Sequence, residues 1–241
     1  MIGLGTIINT IAIIVGGLFG YFFGKLLNEK TQDTLTKATG IPVLFIGIEG
    51  AMEYMLPGQE NSLSSGGTML IIACLCIGGF LGELLDIEGK FESFGAWLKI
   101  KTGNGNDTSF IDGFVTASLT VCIGAMAIVG AIEDGMSGDY SILAAKSVLD
   151  LIIVMVMTCS LGKGCFFSCV PVFLFEGLIT LLAVLIKPFM TDLALSYISL
   201  VGSILIFCVG INLIWGKKVS VANMLPSILV AIVCAFLPIA F

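Results

Sequence analysis

The stretch GAMAIVGAIEDGMSGDYSILAAKSVLD, from Gly124 to Asp150, decides how this chain reads. It leaves one apolar run, makes a short acidic turn through Glu133, Asp134, Gly135, Gly138 and Asp139, and re-enters apolar sequence carrying Lys146 and Asp150. So short a turn between two runs makes them antiparallel neighbours. Runs of about 20 apolar residues are long enough for helices to cross a bilayer, whereas barrel strands are about half that length and alternate in polarity. In hydrocarbon every backbone N–H and C=O needs an internal partner, and a helix supplies it.

The rest of the 241 residues obeys the same solvent. Mean hydropathy is +1.10, 57% of residues are hydrophobic and 12% are charged, against roughly a quarter charged in soluble domains. The partner implied is the lipid bilayer. All 11 basic residues are Lys and His is absent, which removes arginine forks and the imidazole proton shuttle. A net charge of −6 without a basic patch argues against nucleic acid. The 8 Cys lie in apolar runs without CxxC pairs and read as small buried hydrophobes. No metal, phosphate-loop or cofactor motif is visible, and SLGKG at Ser160 to Gly164 reads as a turn. A hydrolase acting inside the membrane would need a nucleophile with His or a free Lys, or paired aspartates, so an enzyme is not expected.

Outward from the central stretch, eight spans are expected in an all-α bundle forming one integral membrane domain over residues 1–241. They run at about Ile7–Leu27, Ile41–Leu56, Met69–Leu85, Phe110–Ile132, Ser141–Leu161, Cys165–Ile186, Leu193–Trp215 and Asn223–Phe241. The second is short for a crossing. Gly16, Gly20 and Gly24 share one face of the first span, and Gly78 and Gly82 repeat the spacing in the third, which lets a neighbouring backbone approach closely. GGLFGYFFGKLL and GGFLGELL suggest an internal helical-hairpin repeat within residues 1–140. From Asp86 to Lys101, the spacing of Ile87, Phe91, Phe94 and Leu98 beside Trp97 predicts a helix lying in the membrane interface. Lys25, Lys30, Lys37, Lys90, Lys99, Lys101, Lys163, Lys217 and Lys218 follow odd-numbered spans, and Lys187 follows an even one. The positive-inside rule then predicts both termini outside the cytoplasm. A homo-oligomer is one assembly open to such a chain.

Charges inside the spans carry the functional expectation. Lys146 and Asp150 stand on one helix face, and Asp150 lies roughly 13 Å in from Ser141 at 1.5 Å per residue, near the middle of the layer. Each such group costs about 2.5–3.5 kcal/mol at a helix centre on insertion scales, so the pair is either a solute or ion site or a structural lock. Glu83 ends the third span; Glu49 reads as a site or as the lining of a wet interhelical space; Glu176 lies deep in the sixth span. Asn9 opens the first span, and Asn223, before Pro226, reads first as a helix N-cap.

The runs SFIDGFV, GAMAIVGAIEDGMSGDYSILAAKSVLD and CSLGKG, with the early IINTIAIIVGG and the late VANMLP, resemble the bacterial YqgA/YdfK-like membrane proteins, the family labelled domain of unknown function 554. The resemblance covers nearly the whole chain. It implies an integral inner-membrane protein of unassigned activity, for which transport is the standing guess. Asn9, Glu83, Lys146, Asp150 and Asn223 lie within the matching motifs and are the solute- or ion-binding candidates; Glu49 and Glu176 lie outside them. The expectation is a secondary transporter or channel for a small solute or ion. Its alternative is a structural or regulatory membrane protein whose Lys146–Asp150 pair fixes packing.

Overall fold

The computed structural model describes residues 2–24, 26–55, 67–104, 109–122 and 125–237. Among these the chain is helical throughout. In order the helices are α1 (Leu4–Gly24), α2 (Glu29–Met55), α3 (Thr68–Leu85), α4 (Ile87–Lys101), α5 (Phe110–Cys122) and α6 (Ala125–Ser137). They continue as α7 (Ser141–Leu161), α8 (Cys169–Leu181), the single turn α9 (Ala183–Ile186), α10 (Asp192–Trp215) and α11 (Pro226–Ala235). Short 3₁₀ segments at Lys163–Ser168, Lys187–Phe189 and Ala222–Met224 precede α8, follow α9 and precede α11.

Six of the expected spans are helices long and apolar enough to cross a membrane, counting Lys163–Leu181 as one. Two expectations need correction. The run from Phe110 to Ile132 is not one straight helix: α5 and α6 are bent by 62° at a break after Cys122, the geometry of a broken span or of a re-entrant loop. The last segment, Ala222–Ala235, is a shorter apolar helix that opens with a 3₁₀ turn and becomes α-helical at Pro226. The second span gains length instead, since the polar residues from Glu29 continue into it as one 27-residue helix through Pro42. The connection from Pro57 and the final residues from Pro238 lie outside the described residues. The amphipathic helix predicted at Asp86–Lys101 is α4: Leu98 is buried with Phe110 and Phe114 of α5, while Trp97 and Ile100 point outward. Asp86 closes α3 in the left-handed region (φ 47°) and accepts a bond from the Gly89 amide, so one residue ends one helix and caps the next.

Glycine determines how the spans meet. α1 and α7 run parallel, with Gly16, Gly20 and Gly24 lying over the backbone carbonyls of Leu151, Met155 and Cys159. A Cβ on any of the three would press on that backbone. The Cys159 thiol donates to the Gly20 carbonyl across the seam at 3.3 Å. α3 crosses antiparallel to the last segment, with Gly78 on Ser227 and Gly82 on Asn223. α2 packs antiparallel on α10, with Gly47 against Ser203 and Phe207. Small-residue seams are what hold helices together in lipid, where no hydrophobic drive exists between them.

Two helix pairs of the bundle share a local pattern, α7 with α8 and α10 with α11. α7 ends at Gly162 (φ 87°, ψ −167°) and α10 at Gly216 (φ 76°, ψ 179°), a conformation that L side chains seldom adopt. Each glycine is followed by Lys, then by a 3₁₀ segment, then by a helix with Pro near its start, Pro171 or Pro226. The glycine motifs meet the two pairs differently: Gly16, Gly20 and Gly24 of α1 lie on α7, whereas Gly78 and Gly82 of α3 lie on the 3₁₀ turn and the start of α11.

Candidate functional site

Around the first of these pairs, one side chain from each of three helices converges in the interior and α7 adds a second. Lys146 and Asp150 stand one turn apart on α7 and are joined as an ion pair. The Lys146 ammonium lies 3.5 Å from Glu176 Oε1 of α8, and the Asn9 amide of α1 donates to the same oxygen at 2.8 Å. Asn9 also bears on Asp150. All four are buried: relative exposure is 6% for Lys146, 4% for Asp150, 1% for Glu176 and zero for Asn9. With both carboxyls ionised, the single ammonium would leave the cluster a net charge of minus one.

Backbone supplies the remaining contact. Lys146 Nζ donates to the carbonyl of Val121 at 2.8 Å. Val121 is the penultimate residue of α5, and the last carbonyls of a helix have no partner within it and carry the negative end of its dipole. The break between α5 and α6 therefore brings a free carbonyl to the ammonium. A continuous helix would have used it internally. Two acceptors are left over: Asn9 Oδ1 and Glu176 Oε2 are buried and have no hydrogen-bond partner among the described residues. Thr6 of α1 and Thr180 of α8 pair hydroxyl to hydroxyl at 3.3 Å one turn away, and beyond them Asp134 accepts from the Gly3 and Gly5 amides at the start of α1.

Around the second pair the corresponding positions carry no charge. Lys146 and Asp150 precede Gly162 by sixteen and twelve residues, and the same counts before Gly216 reach Leu200 and Ile204. Glu176 follows Pro171 by five residues, as Ala231 follows Pro226; Asn9 precedes Gly16 by seven, as Ile71 precedes Gly78. Leu200 and Ala231 belong to one apolar core cluster, with Ile71 and Ile204 packed against it. Counted from these landmarks, the charged and polar positions around one pair correspond to apolar residues around the other.

The structure places the other sequence candidates elsewhere. Glu83 and Asn223 do meet, but on α3 and the 3₁₀ turn, without contact to Lys146 or Asp150. Asn223 Nδ2 donates to Glu83 Oε2 at 2.7 Å, and its Oδ1 accepts from the Glu88 amide at 2.7 Å. Asn223 therefore caps α4 and not its own helix, because the intervening turn moves the start of α11 to Pro226. Glu88 and Glu92 of α4 both reach Lys217 at 2.6 Å, and these hydrogen bonds hold its ammonium above the usual lysine range. This clasp borders a cavity of about 470 Å³ between α2, α4, α5, α7 and the end of α10, lined by Asp33, Asp112, Thr116 and Leu119 among others. Glu49 is exposed on the outer face of α2, level with Ser203 in the middle of α10. Glu176 is the residue that sequence reasoning set aside. Its signal was a lone carboxylate in mid-span, which in hydrocarbon marks a site by default.

The family model described as "Protein of unknown function (DUF554)" matches residues 4–236. The uncharacterised membrane protein YdfK of Bacillus subtilis (strain 168) is 31% identical over 237 residues, covering 98% of this chain and 97% of that protein. The uncharacterised protein YqgA of Escherichia coli (strain K12) is 29% identical over 235 residues, covering 95% and 94%. No solved structure matches the chain.

Proposed function

The chain belongs to the DUF554 family and is a membrane protein with several apolar helices; from that premise we propose that it is a secondary transporter or channel for a small solute or ion, with Lys146, Asp150, Glu176 and Asn9 as its site. The observation that carries this reading is the apolar counterpart. The helix pair with the same glycine–lysine, 3₁₀ and proline pattern, together with α3, carries Leu200, Ile204, Ala231 and Ile71 at the corresponding sequence counts and packs them as hydrocarbon, which argues against a purely structural need for charge. Replacing buried ion pairs by packed hydrocarbon is often neutral or stabilising, and the charged version is the one that asks for a reason.

Two further features support it. A crossing broken beside a buried charge, with free helix-end carbonyls turned to it, is how transporters build ion and solute sites at mid-membrane. The cavity lined by Asp33, Lys37, Glu88, Glu92, Asp112 and Lys217 borders α5 as far as Leu119, in the last turn of that helix, and is where an approach from solvent to this crossing would start. The lysine distribution favours an orientation with that mouth on the cytoplasmic side of an inner membrane and both termini outside. The reading involves no catalysis, no cofactor and no nucleic acid.

Currents on a solid-supported membrane, with proteoliposomes of wild type and Asp150→Asn challenged by a panel of ions and small metabolites, test this. A solute-dependent current lost in a folded Asp150→Asn protein is the expected outcome. An equal current in both would remove the site from the pathway.

A further inference from the structure

We infer that Glu176 is a proton-binding carboxyl, and that the ligand completing the Asn9–Lys146–Asp150–Glu176 cluster is a proton. This names the coupling ion of the transport site proposed above and rests on that reading for its purpose. The geometry behind it is the pair of orphan acceptors. Asn9 spends its amide N–H on Glu176 Oε1, which leaves Asn9 Oδ1 and Glu176 Oε2 as two buried oxygens with no donor among the described residues. Both side chains are at least nine-tenths buried. A buried acceptor without a donor is costly, and a site with two of them calls for something positive.

A metal ion suits the site poorly. The Lys146 ammonium already faces both carboxylates and would repel a second cation, and no group of three or more His, Cys, Asp or Glu among the described residues is arranged to hold a metal. A proton fits. It adds to Glu176 Oε2, converting a carboxylate to a carboxylic acid, and the new O–H gives the network the donor it lacks. Lys146 then belongs to Asp150 alone, and the cluster passes from a net charge of minus one to zero. No other bond forms or breaks. The charged and titratable groups facing Glu176 are Lys146 and Asp150 from α7 and Cys122 from α5. α1 contributes the neutral Asn9, and the buried acid of α6, Asp134, is occupied by the Gly3 and Gly5 amides. Asp150 is the poorer candidate for this proton, because it is directly paired with the ammonium.

Infrared difference spectra against pH, on the full-length protein in lipid, read the proton directly. The protonated-carboxyl C=O band that grows as pH falls in wild type should lose the Glu176 component in Glu176→Gln and in Glu176→Ala, the latter copying Ala231. In Asp150→Asn that component should persist and move to lower pH, because Lys146 then faces Glu176 without a competing carboxylate. A band of full size in either Glu176 variant overturns the inference. If neither Glu176 variant folds, Asp150→Asn decides: a component shifted to lower pH supports Glu176, and a lost component assigns the proton to Asp150 and overturns the inference. Solute currents without any Glu176 component would sink this inference and leave the transport reading standing; the Glu176 component without any solute current would do the reverse.

Discussion

If the charged cluster serves function and not folding, removing one member must harm the protein more than removing all four. In Asp150→Ala the Lys146 ammonium loses its direct partner and keeps only Glu176 at 3.5 Å and the Val121 carbonyl at 2.8 Å. Breaking a buried pair from one side costs about 3–5 kcal/mol, and the remaining Glu176 puts this case near the lower end, about 3 kcal/mol. At roughly 2–4 °C per kcal/mol for a chain of this size, the melting temperature should fall by about 6–12 °C. The combined variant Asn9→Leu, Lys146→Met, Asp150→Leu, Glu176→Leu removes every charge and both orphan acceptors, and buried networks exchanged in this way range from neutral to about 4 kcal/mol more stable. Its melting temperature should equal or exceed that of wild type. Unfolding in a mild detergent, followed by the fluorescence of Trp97 and Trp215, gives the comparison. A combined variant that melts below Asp150→Ala would refute the reasoning, because the network would then be holding the helices together.

Other parts of the structure yield their own expectations. Gly82→Ala should disrupt the seam between α3 and the last segment, since its Cβ meets the Asn223 carbonyl, whereas Gly79→Ala, with only Met224 Cγ at 4.0 Å, should be tolerated; overpacking costs about 1–3 kcal/mol and shows in melting temperature. Asp134→Ala frees the Gly3 and Gly5 amides at the start of α1 and should cost about 1–2 kcal/mol, with faster amide exchange confined to the first turn of that helix. Lys217 is half exposed but Glu88 is buried, so Lys217→Met leaves that carboxylate short of a donor and should cost about 1–3 kcal/mol. Because the ammonium is held above its usual range, the clasp contributes fully below the unfolded lysine value of about 10.4 and is lost as pH rises through the folded one. Wild type and Lys217→Met should therefore converge in stability only in strong alkali.

The membrane-helix class and most span positions were legible because they rest on hydropathy and length, which a local window contains. Lys146 and Asp150 were legible for the same reason: four residues apart on one helix, they are neighbours wherever the helix goes. Asn9 and Glu176 are 167 residues apart, and only the parallel seam of α1 on α7 brings them together. The family motifs even pointed away from Glu176. Asn223 misled because cap logic assumes that a helix begins where its apolar run begins, and a 3₁₀ turn intervened. The break in the fourth span falls at an ordinary-looking IGA within a continuous apolar run, where periodicity has nothing to register. The pattern shared by the two helix pairs, Gly–Lys followed by a 3₁₀ turn and a proline helix, is a backbone conformation and not a hydropathy pattern.

The central claim is that this protein carries a working polar site at positions whose counterparts around its second helix pair are hydrocarbon. The combined Asn9→Leu, Lys146→Met, Asp150→Leu, Glu176→Leu variant, reconstituted beside wild type and compared for solute- and proton-driven currents on a solid-supported membrane, tests it most directly. The account predicts a protein at least as stable as wild type that carries no current. A folded variant that still conducts what wild type conducts would contradict it.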